Sequence, residues 1–112
     1  MEASRPRPTG VSVYTKRREL TIAWSDGRES ALDWEMLRWH CPCATCSGEF
    51  GQPGTLQFTS ELTPEQTTMV DLREVGNYAL LPVWQDGHDT GIYSFDLLRR
   101  LEGQPKGPPV RG

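Results

Sequence analysis

The sequence predicts a small single α+β domain: a mainly antiparallel sheet, two short helices and a metal-binding loop. Three observations predict it. Runs of β-forming residues are joined by tight Asp-Gly or Gly-Asn turns and not by crossover helices. Two short segments with near-helical apolar spacing each follow a residue suited to cap a helix. All three cysteines of the chain fall within "CPCATC", residues 41 to 46.

The elements follow in order. "VSVYT" and "ELTIAW" read as strands, and "KRR" (Lys16 to Arg18) between them reads as a solvated hairpin turn. "SDG" after Trp24 is a turn in which Gly27 is free to take a positive φ. "ESAL" returns as a short strand, and Asp33 caps a helix over Trp34–Trp39. Pro42 cannot continue that helix, so the cysteines lie on the loop that ends it. From Ser47 to Thr68 the chain is a long connection, in which "TPEQ" begins a helical turn with Thr63 as N-cap and Pro64 at the first position. "MVDLREVG" and "YALLPVW" are strands meeting near Gly76–Asn77, "QDGH" is a turn, "GIYS" is a short return, and Ser94 caps a final helix over Phe95–Leu101. The four longer strands are expected to share one sheet. Residues 1–10 and 102–112 are rich in Pro, Gly and charge and are expected to be flexible tails around a folded domain at 11–101.

The second half echoes the first. "WSDGRESALDWEMLR" matches "WQDGHDTGIYSFDLLR" with one insertion. Each copy is a strand, a W-x-D-G turn, a short return strand and a capped helix ending in Leu-Arg. Arg28 of the first turn corresponds to His88 of the second.

Composition narrows the functions. The net charge is −3 and the pI about 5.3, which argues against a nucleic-acid partner. No run approaches the ~20 apolar residues of a membrane span, and the N-terminus carries no apolar signal segment. The expectation is therefore a cytoplasmic protein with no membrane contact, whose thiols stay reduced. Asp26 and Asp86 are read as turn formers and not as a catalytic carboxylate pair. Trp24, Trp34 and Trp84 are assigned to the core; Trp39 has either a core place or a place shielding the cysteine loop.

The cysteine spacing C-x-C-x-x-C lets three thiolates converge on one point, and a tetrahedral site then wants a fourth ligand, often histidine. His40 adjoins Cys41, and neighbouring residues at a helix end point different ways. His88, in the second W-x-D-G turn, is preferred, giving a site of Cys41, Cys43, Cys46 and His88. Buried structural thiols, a redox C-x-x-C pair and an iron–sulfur cluster are the alternatives. A redox pair fits least well, since its thiols belong at a helix N-terminus and these follow a helix.

"IAWSDGRESALDWEMLRWHCPCATC" together with "VGNYALLPVWQDGHDTGIYSFDLLRRL" resembles the gamma-butyrobetaine hydroxylase-like N-terminal domain family, formerly a bacterial domain of unknown function. In the hydroxylases for which the family is named, this domain precedes a catalytic domain and binds zinc. The resemblance implies the same four ligands, Cys41, Cys43, Cys46 and His88. Similar domains are attached to some P-loop ATPases that carry iron–sulfur clusters, which keeps iron or such a cluster as the alternative to zinc. Hydroxylation does not carry over: the histidines read "HCP" and "HDT", so neither starts the H-x-D or H-x-E pair of a catalytic iron site.

The function expected from these readings is a stand-alone metal-binding domain that is not an enzyme. It would serve as a protein-interaction or assembly module with a protein partner or as a homodimer. An accessory protein handling iron or iron–sulfur clusters is the alternative.

Overall fold

A computed structural model describes residues 7–43, 48–49, 52–53 and 61–104 of the chain. The first half is β1 (Pro8–Tyr14), β2 (Glu19–Trp24), β3 (Glu29–Asp33) and α1 (Trp34–Trp39). A two-stranded ribbon follows, β4 (Gly48–Glu49) with β5 (Gln52–Pro53), then α2 (Pro64–Thr67). The second half is β6 (Met69–Val75), β7 (Ala79–Trp84), β8 (Tyr93–Ser94) and α3 (Phe95–Leu101).

Local chemistry sets the helix starts as expected. The Asp33 carboxylate accepts from the backbone N–H groups of Glu35 and Met36 at 2.9 and 3.2 Å, and Ser94 Oγ accepts from Leu97 N–H at 3.0 Å. Thr63 and Gln66 form a reciprocal capping box with Pro64 in the first turn of α2. These bonds satisfy N–H groups that have no partner within their own helix.

Pairing among the described residues is antiparallel, as the turns required, but the four longer strands do not form one sheet. They divide between two three-stranded sheets, ordered β1-β2-β3 and β6-β7-β8. The reason lies in the short returns. β3 and β8 double back directly after the W-x-D-G turns and occupy the free edges of β2 and β7, so each half completes its own sheet. Ordered contacts also reach past residues 11–101 at both ends: β1 starts at Pro8, and the Glu102 carboxylate accepts a hydrogen bond from Ser30.

The halves match in detail. In each, the register slips once on the outer strand opposite the turn's tryptophan, between Pro8 and Gly10 in one and between Met69 and Asp71 in the other. Gly27 and Gly87 take φ of 87° and 91°, a region closed to most side chains. Trp24 N–H donates to Arg28 O at 2.8 Å, and Trp84 N–H donates to His88 O at 3.0 Å.

The helices are exchanged between the halves. Arg38 of α1 makes a two-pronged contact with Asp86 of the second turn, both bonds 3.1 Å, and lies over the Trp84 ring. Arg99 of α3 donates to Asp26 of the first turn at 2.7 Å and lies over Trp24. Tyr93 of β8 donates its hydroxyl to the Leu37 carbonyl of α1. One buried cluster therefore draws on both halves, with Leu20, Ile22, Leu32, Trp34 and Leu37 meeting Leu80, Trp84, Tyr93 and Leu98. Each such side chain contributes about 1.5–3 kcal/mol by leaving water. Trp39 belongs to this cluster as well.

"KRR" is the hairpin turn expected, though Arg18 is more than a solvated charge. Its guanidinium donates to Thr67 O and Thr67 Oγ1, each at 2.8 Å, and stacks over Trp34. Among the described residues no helix is long and apolar enough to cross a membrane.

Candidate metal centre

The end of α1 delivers the first thiol. His40 caps the helix with its N–H shared between Met36 O and Leu37 O, and Cys41 N–H donates to Arg38 O at 3.1 Å. Pro42 has no N–H to carry the ladder further, so the chain leaves the helix with Cys41 buried at 1% exposure and Cys43 half-buried.

The second W-x-D-G turn delivers the imidazole. Asp86 Oδ1 accepts from His88 N–H at 3.1 Å, while the same carboxylate holds Arg38. Arg38 also donates to the Gln66 carbonyl at 2.9 Å. One buried guanidinium thus ties α1, α2 and the turn that carries His88. Burial works against ionisation of Asp86, but the bonds from Arg38 and from His88 N–H outweigh it and hold the carboxyl below its usual value. Burial, helped by the nearby Arg38 charge, lowers the His88 imidazole below 6.5 against the pull of Asp86 and Asp89. The ring is therefore biased toward the neutral form that can ligate a metal.

These elements bring three of the four expected residues together. His88 Nε2 lies 3.3 Å from Cys41 Sγ and 3.5 Å from Cys43 Sγ, and the two sulfurs are 3.5 Å apart. Cys46 lies outside the described residues. His40 is not part of the converging group. A tetrahedral zinc with Zn–S of about 2.3 Å and Zn–N of about 2.0–2.1 Å has edges of about 3.8 Å between sulfurs and about 3.5–3.6 Å between sulfur and nitrogen. The observed edges lie within about 0.3 Å of these, so the donor set fits one shared ion.

Two contributors were not singled out as site residues from sequence. Arg38 orients the turn, and the signal for it was the repeated Leu-Arg helix end combined with the repeated turn Asp. Gly91 makes room for the sulfur: a Cβ there would stand 2.6 Å from Cys41 Sγ and 3.4 Å from Pro42 Cδ and Tyr93 Cε1. Gly91→Ala is expected to push Cys41 Sγ out of place, lower stability by about 1–3 kcal/mol and weaken metal retention in competition with a chelator. A variant with unchanged melting and metal retention would show that the sulfur has room to move.

Comparison with known proteins identifies a family and solved structures of similar fold. The family model described as "Gamma-butyrobetaine hydroxylase-like, N-terminal" matches residues 11–99. A crystal structure of a protein of unknown function from Acidithiobacillus ferrooxidans ATCC 23270, assigned to the DUF971 family, is 30% identical. That similarity covers 88% of this chain and 94% of the other, with a TM-score of 0.66. A protein solved by NMR in solution is 32% identical over 91% of this chain and 73% of its own, with a TM-score of 0.67. Comparison with curated proteins finds no match.

Proposed function

The chain belongs to the gamma-butyrobetaine hydroxylase-like N-terminal family, and from that premise we propose that it is a metal-stapled, non-catalytic module. The observation that carries the reading is the convergence of Cys41 Sγ, Cys43 Sγ and His88 Nε2 at near-tetrahedral edge lengths. Cys46, three residues after Cys43 in the sequence, is the fourth ligand this reading assigns. Four protein ligands leave no position for a substrate, which favours a structural role. The ion would link the exit of α1 to the turn after β7.

Zinc is the first choice, because three cysteines and a histidine are a common closed structural set. Iron suits the same soft donors, so iron or an iron–sulfur cluster is the second reading. A protein partner fits the apolar side chains left exposed on the outer strands, Val11, Val13 and Tyr14 on β1 and Val70 on β6. Self-association through the same strands is the form of this idea that light scattering tests most directly.

The test is elemental analysis and a visible spectrum of the chain purified without oxygen. One zinc per chain in a colourless protein is expected. Coloured protein with stoichiometric iron would move the assignment to the second reading, and no retained metal of any kind would defeat both. Iron(II) and 2-oxoglutarate with gamma-butyrobetaine are expected to give no substrate-dependent succinate, since neither histidine starts an H-x-D or H-x-E pair.

A further inference from the structure

The match between the halves extends to the residues that follow the helices. Counting on from the matched Arg38 and Arg99, Cys41 falls opposite Glu102 and Cys43 opposite Gln104. Counting back from the matched helix starts, Trp34 and Phe95, Ser30 falls opposite Gly91. The turns set Arg28 opposite His88.

These counterparts are also in contact. Cys41, at the exit of α1, meets His88 at 3.3 Å, with Gly91 leaving space for the sulfur. Glu102, at the exit of α3, accepts from Ser30 Oγ at 2.8 Å and stands 3.6 Å from the Arg28 guanidinium. Ser30 Oγ in turn accepts from Trp24 Nε1 at 2.8 Å. In both places a helix exit meets the W-x-D-G turn of the opposite half and the residues that follow that turn, Gly91 ahead of β8 in one and Ser30 on β3 in the other.

We propose that Arg28, Ser30 and Glu102 form the ionic counterpart of the metal clamp. The fold then has two equivalent fastening positions, one suited to a metal ion and the other to an ion pair with a buried hydroxyl. By the same count the second position is a latent metal site, with Arg28, Glu102 and Gln104 opposite His88, Cys41 and Cys43, and Gly103, at a φ of 84°, opposite Pro42. The equivalence rests on the metal reading proposed above. The clamp at Glu102 stands on its own contacts.

The test has two arms. In the first, a chain carrying Arg28→His, Ser30→Gly, Glu102→Cys and Gln104→Cys is titrated with cobalt(II) under reducing, oxygen-free conditions, beside the unaltered chain. Thiolate-to-cobalt absorption and metal count are the readouts. Two ions per chain are expected against one for the unaltered protein. One ion in each overturns the equivalence, whereas none in the unaltered chain defeats the metal reading itself. The second arm holds if that variant fails to fold. Ser30→Ala is expected to lower Tm by about 5 °C or more with cobalt stoichiometry unchanged, since it strands the buried Trp24 N–H. Ser30→Ala combined with Glu102→Ala is expected to cost less than the two single changes added together, the mark of a shared contact. An unchanged Tm, or full additivity, overturns the ionic clamp.

Discussion

His88→Ala is expected to release the metal and to collapse much of the stability of the chain, while His40→Ala leaves both largely intact. His88 Nε2 stands within 3.5 Å of both described sulfurs, whereas His40 is outside the converging group. Losing a partner that only orients a ligand weakens metal binding about 10–100-fold, so losing the ligand itself is expected to exceed about 100-fold. A structural zinc contributes on the order of 10–16 kcal/mol of apparent binding energy, comparable to the whole stability of a typical domain at about 5–15 kcal/mol. Competition with a chromophoric chelator measures the first effect and thermal melting measures the second. Retention by His88→Ala with loss by His40→Ala would reverse the assignment.

Arg38→Ala is expected to have the next largest effect, a loss of about 3 kcal/mol or roughly 15 °C in Tm. The Arg38 side chain is 6% exposed and that of Asp86 26% exposed, so removing the guanidinium leaves a partly buried carboxylate without its cation. It also removes the donor to the Gln66 carbonyl and the cover over Trp84. Asp86→Ala is expected to act in the same direction and to lower metal affinity too, because Asp86 Oδ1 holds the His88 main chain. The comparable change at Arg99 is expected to cost less, since Arg99 and Asp26 remain 22% and 34% exposed and water replaces what is lost. Equal losses at the two positions would mean that burial does not govern these pairs.

Much of this arrangement was legible in the sequence because it depends on short-range chemistry. Asp33, Thr63 and Ser94 act as caps through bonds to residues two or three positions away, and Gly27 and Gly87 satisfy turns of a few residues. The cysteine spacing, the histidine in the second turn and the family resemblance together named three side chains that do converge. The sheet division was not legible. Alternation in "VSVYT" and "MVDLREV" identifies strands, but a period of two does not say which neighbour a strand takes. In the sequence Arg38 is only part of a repeated Leu-Arg helix end, since its partner is in the other half of the chain. Gly91 opens the short return "GIYS", and the reason for a glycine there is a sulfur delivered by a different element.

The exchange of helices also bears on how the chain reaches its native state. Arg38 reaches 48 positions along the chain to Asp86, Tyr93 reaches 56 back to Leu37, and Arg99 reaches 73 back to Asp26. Neither hairpin can acquire its covering helix until the other half has arrived, so the closure of long loops precedes the burial that rewards it. Folding should accordingly be slow for a chain this short. The amides of β2 and β7, though they sit in separate sheets, should exchange with solvent through one shared opening and not as two independent units.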